Sequence, residues 1–151
     1  GSSGRQCGYE YRSGSADGQS VLRRYRSDRR CVAGINRYPV PLILIDMGTA
    51  TTICVVNENK QYIGGMILPG IGVSMNSLTS RTAQLPRISL DPPKRLIGKN
   101  TVECMQSGAL YGNASCIDGM VDRIEEELGQ KATVVATGGL ARKSFRCAGI
   151  R

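Results

Sequence analysis

With 151 residues, 40% of them hydrophobic, the chain has enough length and apolar content for one domain with its own core. No apolar run approaches the roughly 20 residues that a membrane span needs. There is no histidine, and the six scattered cysteines form no C-x-x-C pair, which argues against a zinc centre and favours free thiols in a reducing compartment.

The net charge of +8 is not a nucleic-acid signature, because it belongs to the ends. Residues 1–40 carry eight Arg against Glu10, Asp17 and Asp28, and residues 142–151 add Arg142, Lys143, Arg146 and Arg151. Between them, eight basic residues face nine acidic ones. The chain therefore reads as three segments: an irregular Arg-rich stretch over 1–38, a folded body over 39–141 and a basic tail over 142–151.

Residues 1–30 show neither a period of 2 nor one of 3.6, and Ser, Gly and Arg dominate. From Pro39 the pattern changes. Apolar runs predict strands over 41–46, 51–57 and 61–68, with Asn57-Glu58-Asn59-Lys60 as a polar hairpin turn. Gly64-Gly65 falls inside the third run, where glycine marks a bulge or a close backbone approach.

After the turn Pro69-Gly70-Ile71-Gly72, a helix is predicted over 73–83. The prolines at 86, 92 and 93 keep the next stretch extended. Asn100 caps the longest helix, 101–128, with Met105, Ala109, Cys116, Met120, Val121, Ile124 and Leu128 as its apolar stripe. Small residues (Ser107, Gly108, Gly112, Ala114, Ser115) would let another helix or a second subunit approach. Gly129 ends the helix, and Ala132–Ala136 forms a last strand running into Thr137-Gly138-Gly139.

The stretch Ile45-Asp46-Met47-Gly48-Thr49-Ala50-Thr51-Thr52 carries the chemistry. A carboxylate ending a buried strand is poorly solvated, so it holds a cation, a proton or a donor. Gly48 permits a sharp turn, and the threonines offer hydroxyls and amides suited to phosphate oxygens.

Asp46-x-Gly48-Thr49-Ala50-Thr51-Thr52 is followed in order by Gly64-Gly65-x-Ile67-x-Pro69-Gly70, Thr82-x-Gln84-Leu85-Pro86, Gly98-Lys99-Asn100-Thr101, Ser107-Gly108, Tyr111-Gly112 and Thr137-Gly138-Gly139. This ordered series resembles the type III pantothenate kinases, over residues 39–141. The resemblance implies an α/β, ribonuclease-H-like half-domain of the actin-like and sugar-kinase superfamily, with a mixed sheet of three antiparallel-type strands plus a later strand and packing helices. It implies ATP-dependent phosphorylation of pantothenate to 4'-phosphopantothenate in coenzyme A biosynthesis, with Mg2+ and a monovalent cation (K+ or NH4+), in a cytoplasmic homodimer.

Carried over residue by residue, the resemblance makes Asp46 the ligand of the monovalent cation. Thr49, Gly138 and Gly139 would contact ATP, and Thr101 would contact pantothenate. Arg26-Ser27-Asp28-Arg29 falls nearest to the family's Gly-Ala-Asp-Arg motif. Asp28 would then be the catalytic base, with Arg26, Ser27 and Arg29 beside it at the pantothenate site. Family members also carry an Asp-x-Gly-Asn-Thr loop in a preceding lobe, and residues 1–40 hold no such motif. The expectation is a truncated or frame-shifted C-terminal lobe, inactive alone. The alternatives are a non-catalytic interaction or transcription accessory module of the same family, or another actin-like small-molecule kinase.

Overall fold

The computed structural model describes residues 27–82 and 84–141. In chain order these form α1 (Ser27–Arg37), β1 (Leu42–Met47), β2 (Ala50–Val56), β3 (Tyr62–Pro69), α2 (Ile71–Arg81), α3 (Thr101–Leu128) and β4 (Thr133–Thr137). The four strands make one mixed sheet in the order β3-β2-β1-β4. β1 pairs antiparallel with β2 and parallel with β4, and β2 pairs antiparallel with β3. The expected α/β class and mixed sheet are what the chain adopts.

β1 is nearly all apolar because it is central and covered on both faces. Ile43, Ile45 and Met47 face one side, where Ile53, Val55, Ile71 of α2 and Ile117 and Ile124 of α3 complete the main core. Leu42 and Leu44 face the other side and meet Cys54, Val56 and Cys31 of α1. Helices thus cover both faces, α1 being the one on the second face among the described residues.

α1 occupies part of the stretch that reads as irregular in the sequence. Cys31, Gly34 and Ile35 fall on its sheet side at helical spacing, an amphipathic pattern confined to one short segment of an otherwise Arg- and Ser-rich stretch. Burial against Leu42, Leu44, Cys54 and Val56 supplies what propensity does not. A Cβ on Gly34 would lie 3.0 Å from Leu42 Cδ2, so this helix presses closely on the start of β1.

α2 begins two residues before the predicted start, directly after Gly70, and α3 spans the predicted range. The Asn100 side chain accepts from Glu103 N at 2.9 Å, and Glu103 accepts from Lys99 N at 2.8 Å, a reciprocal cap. Gly129 closes the helix in the left-handed region (φ 69°) with bonds from Gly129 N and Gln130 N to Glu126 and Glu125 carbonyls. The apolar stripe needs one correction. Cys116 is exposed, and Leu110 and Ile117 take the buried positions, since one residue of helix rotates a side chain by about 100°. The small-residue face is partly used within the chain: Ser107 Oγ donates to the Leu96 carbonyl and Gln106 Nε2 donates to Ser89 O.

Glu125 clasps the turn between α3 and β4. Its carboxylate accepts from Ala132 N at 3.0 Å and from Lys131 Nζ at 2.6 Å. These bonds, the backbone one first, hold its pKa below the ordinary glutamate value. A lowered folded-state pKa stabilises the fold above the ordinary value, about 4.3, and that contribution disappears as pH falls through the lowered value. Glu125→Gln is therefore expected to flatten the acid limb of a urea-midpoint titration as pH falls below the ordinary glutamate value of about 4.3. Parallel acid limbs for the two proteins would contradict this role.

Candidate functional site

Four chain segments meet where β1 and β4 end and β2 begins. The β1–β2 hairpin turns through Gly48 and Thr49, with Gly48 N donating to Ala50 O at 3.2 Å. Gly70, between β3 and α2, donates to Thr49 O at 3.1 Å. A Cβ there would stand 2.3 Å from Thr49 O and 2.5 Å from Gly48 O, so only glycine lets these backbones approach. Gly138, just past β4, has φ 105° and packs its α-carbon against the Met47 backbone.

This end of the sheet therefore gathers Asp46, Thr49, Gly138 and Gly139. Asp46 is half-buried, and Thr49, Gly138 and Gly139 are exposed. A groove of about 800 Å3 runs beside α2, lined by residues that include Asn76, Ser77, Arg81 and Arg87, and none of the strand-end residues line it.

The register shows what surrounds Asp46. It lies opposite Thr52 on β2 and beside Thr137 on β4, and Thr52 in turn lies opposite Ile67 on β3. In-register residues share a face, so Asp46 is flanked on both sides by a threonine. These two threonines stand in motifs that the sequence analysis quotes, but their relation to Asp46 needs the strand pairing to be seen.

The donor set is oxygen only: one carboxylate between two hydroxyls. Such hard, singly charged surroundings fit a monovalent cation. Among the described residues no group of three or more His, Cys, Asp or Glu could hold a metal ion.

The remaining candidates are distributed as follows. Thr101 is the first residue of α3, exposed, on the helix that packs against the opposite face of the sheet. It stands roughly 24 Å along the helix axis from Ile117, which packs in the main core. Arg26 lies outside the described residues. Ser27, Asp28 and Arg29 occupy the first turn of α1, on the Asp46 face. Gly34 sits over Leu42; from there Asp28 is about 9 Å back along the helix, and Asp46 about 13 Å along β1.

Away from the motif residues, Asp118 on α3 has its pKa raised first by burial and then by the Asp122 carboxylate one turn on. No helix among the described residues is long and apolar enough to cross a membrane.

A family profile described as type III pantothenate kinase matches residues 27–123. A curated type III pantothenate kinase of Bacillus cytotoxicus is 54% identical over 111 residues, 74% of this chain and 42% of that protein. The chain thus spans less than half the length of this relative. Among solved structures, a protein described as a Baf family transcriptional activator from Campylobacter jejuni shares 23% identity and a TM-score of 0.48 over 73% of this chain and 49% of its own. The activator of 2-hydroxyisocaproyl-CoA dehydratase from Clostridium difficile shares 11% identity and a TM-score of 0.34, over 76% and 53%.

Proposed function

The chain belongs to the type III pantothenate kinase family, and from that premise we propose that it forms one wall of an ATP-dependent pantothenate kinase site. In this reading it is the ribonuclease-H-like half that carries the cation ligand and part of the ATP contacts. The observation that carries it is the meeting of Asp46, Thr49 and Gly138 at one sheet end, through close backbone contacts that only glycines at 70 and 138 allow.

The reaction moves the γ-phosphoryl group of ATP to the primary hydroxyl of pantothenate. A bond forms from that hydroxyl oxygen to the γ-phosphorus, the bond to the β–γ bridging oxygen breaks, and ADP leaves. When bound, Mg2+ and the monovalent cation neutralise charge on the phosphates. Thr49 and the Gly138-Gly139 turn orient the nucleotide. Asp28 accepts the hydroxyl proton, and Arg29 pairs with the pantothenate carboxylate, a match that its planar guanidinium suits. Thr101 contacts the same substrate from the N-terminus of α3, in a homodimer.

Since the site needs groups beyond one wall, positioning is incomplete and turnover by this chain should be slow. A coupled ADP-release assay with ATP, Mg2+, K+ and pantothenate, beside calorimetric titration of each ligand, tests the reading. Weak ATP binding is expected, with pantothenate-dependent turnover on the order of 10³-fold below an intact family member. No ATP binding would overturn the nucleotide role of the strand ends; turnover equal to that of the intact enzyme would overturn the one-wall reading.

A further inference from the structure

We infer that Thr52 and Thr137 are positioning residues for the monovalent cation, completing with Asp46 a row of side-chain oxygens across three adjacent strands. The inference rests on the reading that Asp46 holds that cation, and goes beyond it by assigning two ligating or orienting hydroxyls.

Three strands change character at the same row. Along the α1 face, β1 presents Leu42, Leu44 and then Asp46. β2 presents Val56, Cys54 and then Thr52, in register with them. On β4, Val135 beside Leu44 is followed by Thr137 beside Asp46. A face that only needed covering would stay apolar, as Leu42, Leu44, Cys54 and Val56 do under α1.

Ile67, the fourth member of this row, is 57% exposed, and Thr137 is exposed, so both outer members of the row are open to solvent. Asp46 and Thr52 are half-buried, enough to limit competing water. In-register neighbours have Cβ atoms about 4.5–5.5 Å apart, which lets both hydroxyls turn towards an ion at the central carboxylate. Asp46 is already engaged within the protein, but a carboxylate offers about four acceptor sites. One negative charge among neutral oxygens suits a singly charged ion.

The close contact of Gly138 with the Met47 backbone holds Thr137 in place beside Asp46. The hydroxyl-bearing ends of β1, β2 and β4 are thus fixed relative to one another by backbone, before any ion arrives.

The test uses this chain, with Tl+ as a spectroscopic stand-in for K+ and with K+ itself read by thermal shift against choline chloride. Wild type should bind Tl+ and gain melting temperature in K+, and Asp46→Asn should lose both. Thr137→Val and Thr52→Val should each weaken Tl+ and K+ binding by about 10- to 100-fold, with melting in choline chloride unchanged. Thr137→Ser and Thr52→Ser, which restore the oxygen, should recover binding, and they carry the test if a valine variant fails to fold. Binding lost in Asp46→Asn but intact in both valine variants would overturn this inference and leave the Asp46 reading standing. No Tl+ or K+ effect in the wild-type chain would overturn both.

Discussion

Gly138→Ala is expected to cost the fold about 4 kcal/mol, from the strain of an alanine at such a φ and the overpacking that accompanies it. Gly138 has φ 105°, a conformation that L side chains rarely adopt. Its added Cβ would also meet Met47 O at 2.4 Å, Met47 C at 2.7 Å and Met47 N at 2.8 Å. All three are backbone atoms of the central strand, so no flexible side chain can give way. Relief requires β4 to move away from β1, which separates Thr137 from Asp46. Urea denaturation measures the loss, with Gly139→Ala as the control because its Cβ meets nothing within 4 Å. Equal midpoints for the two variants would show that the β4 turn is not tied to β1 as described. A loss of this size is a large share of the roughly 5–15 kcal/mol that holds a domain together.

Leu42→Ala should cost about 3 kcal/mol, within the range for emptying a buried leucine site, and the damage should be uneven. Leu42 is fully buried on the face that, among the described residues, α1 covers. α1 is held by Cys31 and Ile35 against Leu42, Leu44, Cys54 and Val56, and Gly34 packs directly on Leu42. The opposite face has two helices and a larger cluster, so it tolerates the loss better. Native-state hydrogen exchange should show α1 amides opening well before those of β1 and β2. If protection falls uniformly, α1 is an integral part of one cooperative unit. The distinction matters for function, because α1 carries Asp28 and Arg29 in its first turn.

Much of the body was legible in the sequence. β1 announced itself as an apolar run because a central strand must be apolar on both faces. The Asn100 cap and the Gly129 stop placed the ends of α3, because caps act through residues three or four positions away. The stripe of α3 was read less well: Cys116 and Ile117 are adjacent in sequence, and which of them faces the core depends on where the sheet lies. α1 was missed, since its helical period is confined to one short segment of an Arg-rich stretch, and the sheet face that it packs on forms later in the chain.

The candidate site divides along the same line. The motif from Asp46 to Thr52, the Gly70 turn and Thr137-Gly138-Gly139 stand in the sequence as short-range patterns, and they were sufficient to identify the family. Their meeting at one sheet end was decided by strand order and register, which link positions about 90 residues apart in the chain. A slip of one residue in that register would turn Thr137 to the other face and leave Asp46 without its neighbour. Local chemistry therefore determined which residues are able to bind and turn. Only long-range pairing, fixed by burying both faces of β1, determined that Thr52 and Thr137 flank the carboxylate.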